Sequence, residues 1–312
     1  MRSLIALTLL AIPLAAVAQT AHFAVQGRVQ SIAAPDAAPV ARDIAEVTEI
    51  FGTLADGRLV VGLGAEDAGE NVTPARTLAI VDGEQTTVIA DRVLRAYPAP
   101  VGEAIAMITP ERDSLLFDGA EVIDLGIERR ASQFAWFPDG RSIAMTCFDP
   151  DWSPHLQSNA DSYEEFLRMN NNDIWRLDLD SMAFTPLVVH PEADWCPVIS
   201  PDGTQMIFAS TRVNSRADLC RLDLATGEIT PLNPTERVPV PLVNQAIWRG
   251  DQLVYATTRD NNFPEIRVVQ TDGTGSALID EGSHPQLIAG GAAVAFLSAS
   301  GEIATARLGG GE

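Results

Sequence analysis

The sequence predicts an all-β protein, built as a single six-bladed β-propeller of four-stranded antiparallel blades. The first observation is the stretch 194–232, where four short apolar runs are separated by turn residues and Pro201-Asp202-Gly203 follows the first run. Proline fixes φ and glycine accepts a positive φ, so this triplet folds the runs on either side back as neighbouring strands. One such sheet cannot bury both of its faces, and therefore it needs copies.

Copies of this unit recur along the chain. Turn glycines stand at positions 57, 102, 140, 203, 250 and 291. Apart from one longer step they follow a period of roughly 40 to 50 residues, which is typical of four-stranded propeller blades. The longer step comes after Gly140 and indicates an insertion in the third blade.

Two of the copies carry the same residues in the same order. The sequence FAWFPDG at 134–140 is followed by DIWRLDL at 173–179, and ISPDG at 199–203 is followed by DLCRLDL at 218–224. This unit resembles the PD40, or TolB-like, repeat of bacterial periplasmic β-propellers. The resemblance is weaker in the first two blades and the last, which lack the Pro-Asp pair, and it concerns the propeller part alone. It implies that a partner or ligand binds at one face of the central channel.

The N-terminal segment is predicted to be a secretory signal peptide over residues 1–18. A basic residue at position 2 precedes the apolar run 4–16, and Ala16-Val17-Ala18 forms a small-residue cleavage site. A membrane anchor is the alternative, but the apolar run is too short to span a bilayer. We therefore expect a periplasmic or secreted protein with no membrane span.

The composition is acidic. Asp and Glu outnumber Lys and Arg by 42 to 21, which gives a formal net charge of −21. Such a surface repels nucleic acid and anionic lipid, so neither is predicted as a partner. The chain is expected to act as a monomer.

The segment 19–44 is expected to close the ring. Residues 23–32 alternate apolar and polar side chains, which predicts a half-buried strand. The last blade offers only three strands of its own, so we expect this N-terminal strand to supply its missing outer strand. A disordered leader is the alternative. The propeller is then predicted to occupy residues 45–308, with a short tail at 309–312.

The blade-three insertion, about 148–172, is the most informative departure from the repeat. A loop of this length is uncommon unless it covers or binds something. Its candidate contact residues are Trp152, His155, Tyr163 and Phe166. In a propeller the loop between the second and third strands shares a face with the loops that join successive blades. We therefore expect the insertion to share a face with the loop that carries Asp194 and Trp195.

The start of each innermost strand is the predicted mouth of the central channel. Alignment of the repeats on their turn glycines places five residues there: Tyr97, Gln133, Cys196, Asn244 and His284. They are candidates for ligand or partner binding. The alternative is that Tyr97 and Cys196 serve packing and that Asn244 and His284 bond backbone groups near the mouth.

Charged residues that follow the second strands are interpreted as structural. Arg212 with Asp218, and Arg259 with Asp260 or Glu265, recur at the same place in successive blades. An ion pair repeated from blade to blade clamps strand ends and does not indicate catalysis.

The three cysteines fit no zinc or redox motif. In an oxidising compartment a disulfide is allowed, and Cys147 with Cys196 is the pair that the predicted topology brings to one face. Cys220 falls on a third-strand core position and is expected to be a buried free thiol.

These observations predict a non-catalytic scaffold that binds a protein or peptide of the cell envelope through the channel mouth and the blade-three insertion. No catalytic residue, metal ligand or cofactor is predicted, although a divalent cation stays open at the acidic loop 66–70. The alternative is a metal-dependent lyase or hydrolase acting on a small polar or saccharide substrate. In that case His155, His190 and His284 would share one face with Asp151 and Asp194.

Overall fold

The structure is a computed structural model. It describes residues 20–42, 44, 46–65, 74–148, 172–212, 217–232, 241–242, 245–258 and 264–309. Throughout these ranges the regular structure is β-strand, apart from one 3-10 turn at Ala289–Gly291. The predicted signal peptide, the acidic loop 66–70, the interior of the insertion, Asn244 and Arg259 lie outside the described residues. No helix among the described residues is long and apolar enough to cross a membrane.

An N-terminal sheet of three strands precedes the repeats. Its strands are β1 (Ala21–Val25), β2 (Arg28–Ile32) and β3 (Val40–Arg42). The first two blades follow as four-stranded antiparallel sheets. Their strands are β4 (Val47–Thr53), β5 (Leu59–Leu63), β6 (Arg76–Asp82), β7 (Gln85–Val93), β8 (Arg95–Pro98), β9 (Ile105–Ile108), β10 (Ser114–Phe117) and β11 (Val122–Asp124).

Blades three and four repeat the same order, with the first strand innermost. Their strands are β12 (Arg130–Trp136), β13 (Ser142–Phe148), β14 (Asp173–Asp178), β15 (Phe184–Val188), β16 (Asp194–Ile199), β17 (Gln205–Ser210), β18 (Asp218–Asp223) and β19 (Ile229–Pro231). The predicted Pro-Asp-Gly turns join the first two strands of each blade, and Gly140 and Gly203 both have the positive φ that these turns require.

Blades five and six form one continuous six-stranded sheet. Its strands are β20 (Ala246–Arg249), β21 (Gln252–Thr258), β22 (Pro264–Gln270), β23 (Ala277–Ile288), β24 (Ala293–Ser298) and β25 (Ile303–Arg307). Residues 277–281 of β23 pair with β22, whereas residues 282–288 pair with β24. One long strand is therefore the outer strand of blade five and the inner strand of blade six.

The prediction of an all-β, six-bladed propeller is confirmed. The six hydrogen-bonded sheets of the described residues are the N-terminal sheet, blades one to four, and the sheet that blades five and six share through β23. Successive inner strands contact one another around the ring. The apolar core lies between the blades; at the interface of blades two and three, for example, Ile108, Phe134 and Met145 are buried together.

The predicted pairing of the N-terminal strand is wrong. Strand β1 pairs with β2 and not with β25, which has β24 as its neighbour. The N-terminal sheet lies beside the last blade as a separate sheet. Buried Ala21 and Phe23 pack face to face against Ile288 and Ala293. On its other side β1 contacts β4 of blade one, so the sheet fills the space between the last blade and the first.

A local turn explains the difference. Gln26 and Gly27 both have positive φ, 52° and 76°, and they join β1 to β2 as a two-residue hairpin. This hairpin satisfies the backbone of β1 within its own segment. The alternating pattern at 23–32 had been interpreted as one strand, because alternation shows which face is buried but not which edge a strand pairs with.

Candidate functional site

A cavity of about 440 Å³ occupies the centre of the ring. It is lined by the inner strands of blades one to five and runs from Cys196, near the start of β16, to Pro201, just after its end. Three of the five residues predicted at the channel mouth line it, namely Tyr97, Gln133 and Cys196. The walls are otherwise mainly apolar, with prolines contributed by several blades.

His284 lies elsewhere in the ring. It lines a second cavity, of about 790 Å³, between the end of β4 and the bulge of β23. His22 of the N-terminal sheet lines the same cavity. The predicted ring of mouth residues is therefore divided between two cavities.

Bulges in the inner strands set the geometry of the mouth. The pairing of β16 with β17 is interrupted between Trp195 and Val198, and the pairing of β23 with β24 between Ser283 and Gln286. At each bulge a residue that precedes proline has a left-handed backbone: φ is 53° at Cys196 and 55° at His284. Bulges of this kind re-aim side chains and bend a strand. A positive φ at a residue with a side chain persists only where neighbours hold it.

Glutamines from the preceding blade hold these bulges. The backbone N–H of Cys196 donates to Gln133 Oε1 at 2.8 Å, and Gln133 Nε2 donates to Cys196 Sγ at 3.2 Å. In the same way the N–H of His284 donates to Gln245 Oε1 at 2.8 Å. Gln286 then bonds both backbone groups of His22, at 3.0 Å and 2.6 Å. Gln133 and Gln245 thus link two successive blades, and Gln286 links the last blade to the N-terminal sheet.

This relay was found only in part from the sequence. The repeat alignment singled out Gln133, but not Gln245 or Gln286. Gln245 and Gln286 could have been found as glutamines that lie near a bulge. The sequence does not show where the strands bulge, so it does not reveal them.

The residues at the C-terminal end of the predicted insertion contact the loop that leads into β16. The backbone N–H of Asp194 donates to the carbonyl of Asn172 at 2.8 Å, and the N–H of His190 donates to Asp173 Oδ1 at 3.2 Å. The C-terminal end of the insertion therefore lies against the loop that leads into β16. Its predicted contact residues Trp152, His155, Tyr163 and Phe166 lie outside the described residues.

Asp194 is buried and ion-paired. Its side chain is 0 % exposed, and Arg212 Nη2 lies 2.6 Å from its Oδ2. Arg212 Nε also donates to Ser210 Oγ at 2.9 Å. Burial raises the pKa of Asp194, although Arg212 and Ser210 both favour its ionised form. Asp194 therefore positions the loop, while the half-buried Trp195 beside it presents surface.

One predicted ion pair has a different partner in the structure. Arg212 pairs with Asp194, whereas the sequence suggests Asp218. Both carboxylates begin strands that lie opposite Ser210, so strand register alone allows either pair. Glu265 pairs with Arg267 at 2.9 Å, and Arg259, its predicted partner, lies outside the described residues.

The cysteines are buried as three free thiols. The structure therefore does not contain the disulfide suggested between Cys147 and Cys196. Burial raises the pKa of Cys147 to about 12 and that of Cys196 to about 11. Cys220 is a buried free thiol, as expected, and burial raises its pKa to about 11.

The histidines with described positions have different hydrogen-bond partners. His190 Nδ1 accepts the N–H of Glu192 at 3.1 Å, whereas His284 Nδ1 lies 2.9 Å from Ser283 Oγ. Burial and the charge of Arg42 lower the pKa of His22 to about 4, and its Nδ1 lies 2.7 Å from Ser31 Oγ. In the part of the chain that the structure describes, no three His, Cys, Asp or Glu side chains are grouped as a metal site.

Comparisons with known proteins give a fold and no sequence family. No family model matches the chain. No curated protein matches it either. Many solved structures do, at low sequence identity.

Three of the similar structures are informative. TolB from Acinetobacter baumannii is 14% identical, with a TM-score of 0.58 over 93% of this chain and 76% of that one. A putative TolB from Agrobacterium tumefaciens is 14% identical, with a TM-score of 0.53 over 75% and 81%. An oligogalacturonate lyase in complex with manganese is also 14% identical, with a TM-score of 0.51 over 92% and 95%. At this identity the likeness concerns the fold alone, and the chain therefore has the TolB-like β-propeller fold.

Proposed function

We propose that this chain is a non-catalytic scaffold of the periplasm or the extracellular space, which holds a protein or peptide at the channel-mouth face. The observation that carries the proposal is the central cavity of about 440 Å³, to which five blades contribute. Cavities of a few hundred Å³ with mainly apolar walls and a few convergent polar groups are the usual form of binding sites.

Rigidity of the mouth supports recognition by a preformed surface. The glutamine relay fixes neighbouring inner strands to each other, so little ordering is left to occur on binding. Preorganisation of this kind lowers the entropic cost of association. A peptide segment suits the cavity better than a folded domain, because the walls can enclose only a few side chains.

The blade-three insertion is the second part of the proposed surface. The bonds from Asn172 and Asp173 to the loop before β16 support a surface that the insertion shares with Trp195. Its aromatic residues Trp152, Tyr163 and Phe166 would supply the large contact areas that dominate binding energy at interfaces.

Deletion of residues 151–171 tests this function. We expect the shortened protein to keep its far-ultraviolet circular dichroism and its melting temperature within a few degrees, and to lose the partners captured by cross-linking in the cells that produce it. As a matched control, the turn 118–121 at the rim of blade two is replaced by Asn-Gly, and capture should persist. Undiminished capture by the deletion variant would contradict the proposal.

A metal-dependent lyase or hydrolase is the second candidate. The likeness to the manganese-bound oligogalacturonate lyase supports it at the level of the fold. Metal analysis of freshly purified, undialysed protein separates the two candidates. A scaffold should carry no stoichiometric transition metal, whereas stoichiometric manganese together with cleavage of an acidic oligosaccharide would favour the enzyme.

A further inference from the structure

Two arginines lie at the same end of blade two, and no carboxylate of the described residues pairs with either. Arg95 begins β8, and Arg112 lies in the turn that follows β9. Both are partly buried. Among the ion pairs of the described residues, none involves either guanidinium. Arg95 Nε is enclosed and donates no hydrogen bond.

The two positive charges are close enough to oppose each other. Burial lowers the pKa of Arg112, and the charge of Arg95 lowers it further. Arg112 is held in place by its backbone: φ is 72°, its N–H donates to the carbonyl of Thr109 at 3.0 Å, and its carbonyl accepts the N–H of Ala131 at 3.1 Å. Partly desolvated like charges are costly unless an anion compensates them.

Blade four shows which group is missing. Asp194 begins its inner strand opposite Ser210, the last residue of the second strand. Arg95 begins the inner strand of blade two opposite Ile108, again the last residue of the second strand. Arg95 therefore stands where blade four has the carboxylate that pairs with Arg212 at 2.6 Å. At the corresponding place blade two has the guanidinium groups of Arg95 and Arg112, and no described carboxylate pairs with them.

We infer that Arg95 and Arg112 form a subsite for a carboxylate group of the bound peptide, either an acidic side chain or the C-terminus. This inference rests on the proposed peptide-binding function. Guanidinium groups match the two oxygens of a carboxylate in geometry and charge. The formal net charge of the chain is −21, which repels anions at long range. The two guanidinium groups attract an anion locally in spite of that repulsion.

The position of the subsite fits the rest of the face. Arg95 directly precedes Ala96 and Tyr97, which line the central cavity. Strand β12, whose Ala131 N–H donates to the Arg112 carbonyl, pairs with the end of β13, where the insertion begins. A peptide that enters the central cavity beside the insertion can therefore place a carboxylate on the two arginines.

The test is a titration followed by NMR of arginine Nε–Hε groups in the full chain. The probes are N-acetylglycine, which carries one carboxylate, its neutral analogue N-acetylglycinamide, and inorganic phosphate. We expect N-acetylglycine alone to shift the signals of Arg95 and Arg112 saturably. The exposed Arg141, which already pairs with Asp180, is the internal control and should not respond.

Arg95→Asp is the decisive variant, because it supplies the carboxylate from within the chain. Binding of N-acetylglycine should weaken by about tenfold or more, the range of a lost charged hydrogen bond. Arg95→Gln gives the same readout should Arg95→Asp fail to fold. Absence of a saturable shift, an equal response to the amide, or tighter saturation by phosphate would each overturn the subsite.

The subsite and the scaffold fail in different ways. Capture of the partner by the insertion deletion variant would refute the scaffold, whatever the probe does. Suppose instead that N-acetylglycine shifts no arginine signal, while cross-linking of the partner still requires the insertion. That result would refute the subsite and leave the scaffold standing.

Discussion

Removal of one partner of the buried Asp194–Arg212 pair should be strongly destabilising. The Asp194 side chain is 0 % exposed and that of Arg212 is 17 % exposed. Arg212→Met keeps the apolar length of the side chain that lies over the Phe208 ring and removes its charge. The buried carboxylate then has no cation, which costs about 3 to 5 kcal/mol in comparable pairs. At this chain length the expected fall in Tm is roughly 10 °C.

The double variant is the matched control. Asp194→Leu combined with Arg212→Met removes both charges, and well-packed apolar replacements of buried pairs are often neutral or stabilising. We therefore expect the double variant to recover most of the stability that either single variant loses. The assay is urea unfolding followed by tryptophan fluorescence at constant pH.

The pH dependence follows from the direction of the pKa shift. Burial raises the pKa of Asp194 in the folded protein, so the folded state holds that proton more tightly than the unfolded chain does. The stabilising contribution of protonation is complete below the unfolded value of about 3.9 and is lost as pH rises through the folded pKa. Without Arg212 the pKa of Asp194 rises further. The free energy of unfolding that Arg212→Met loses should therefore become smaller as the pH is lowered. If Arg212→Met lowered the free energy of unfolding by less than about 1 kcal/mol at every pH, the pair would instead behave as a solvated surface ion pair.

Three further predictions concern the ring. Gly282→Ala should destabilise the protein by about 1 to 3 kcal/mol, because an added Cβ would lie 2.6 Å from the Leu297 carbonyl oxygen; Gly309→Ala, which meets nothing within 4 Å, should be neutral in the same thermal melts. Phe23→Ala, at a side chain 2 % exposed, should cost about 3 to 5 kcal/mol and make β1 to β3 susceptible to limited proteolysis; protection equal to that of the parent would contradict face-to-face closure. The three buried thiols should react with a thiol reagent only after unfolding, and rapid native labelling would refute their burial.

The repeat architecture could be predicted because its signals are local. A Pro-Asp-Gly turn needs only its own residues to specify φ, and Gly140 and Gly203 have the expected conformation. The period of the turns then determines the blade count. The closure of the ring depends on packing of β1 against Ile288 and Ala293, more than 250 positions away, which neither period nor alternation encodes. Only the Gln26-Gly27 hairpin could have indicated that β1 pairs locally.

The sequence could place residues at the candidate site, but it could not show which side chains contact each other. Repeat alignment placed Gln133 and Cys196 at the channel mouth, and both line the central cavity. It could not identify Asp194 as the partner of Arg212, because Asp194 and Asp218 both lie opposite Ser210 and only the side-chain contacts distinguish them. The Arg95 and Arg112 pair was missed for the same reason: two arginines in a loop-rich region look solvated until their common surroundings are known.

Photo-cross-linking at position 195 tests the account most directly. A benzophenone amino acid replaces Trp195 on the channel-mouth face, and the same substitution at Ile123, on the exposed outer strand of blade two, is the control. The account predicts that irradiation in the producing cells joins a distinct envelope protein or peptide to position 195 and not to position 123. Equal adducts at both positions, or adducts at position 123 alone, would contradict it.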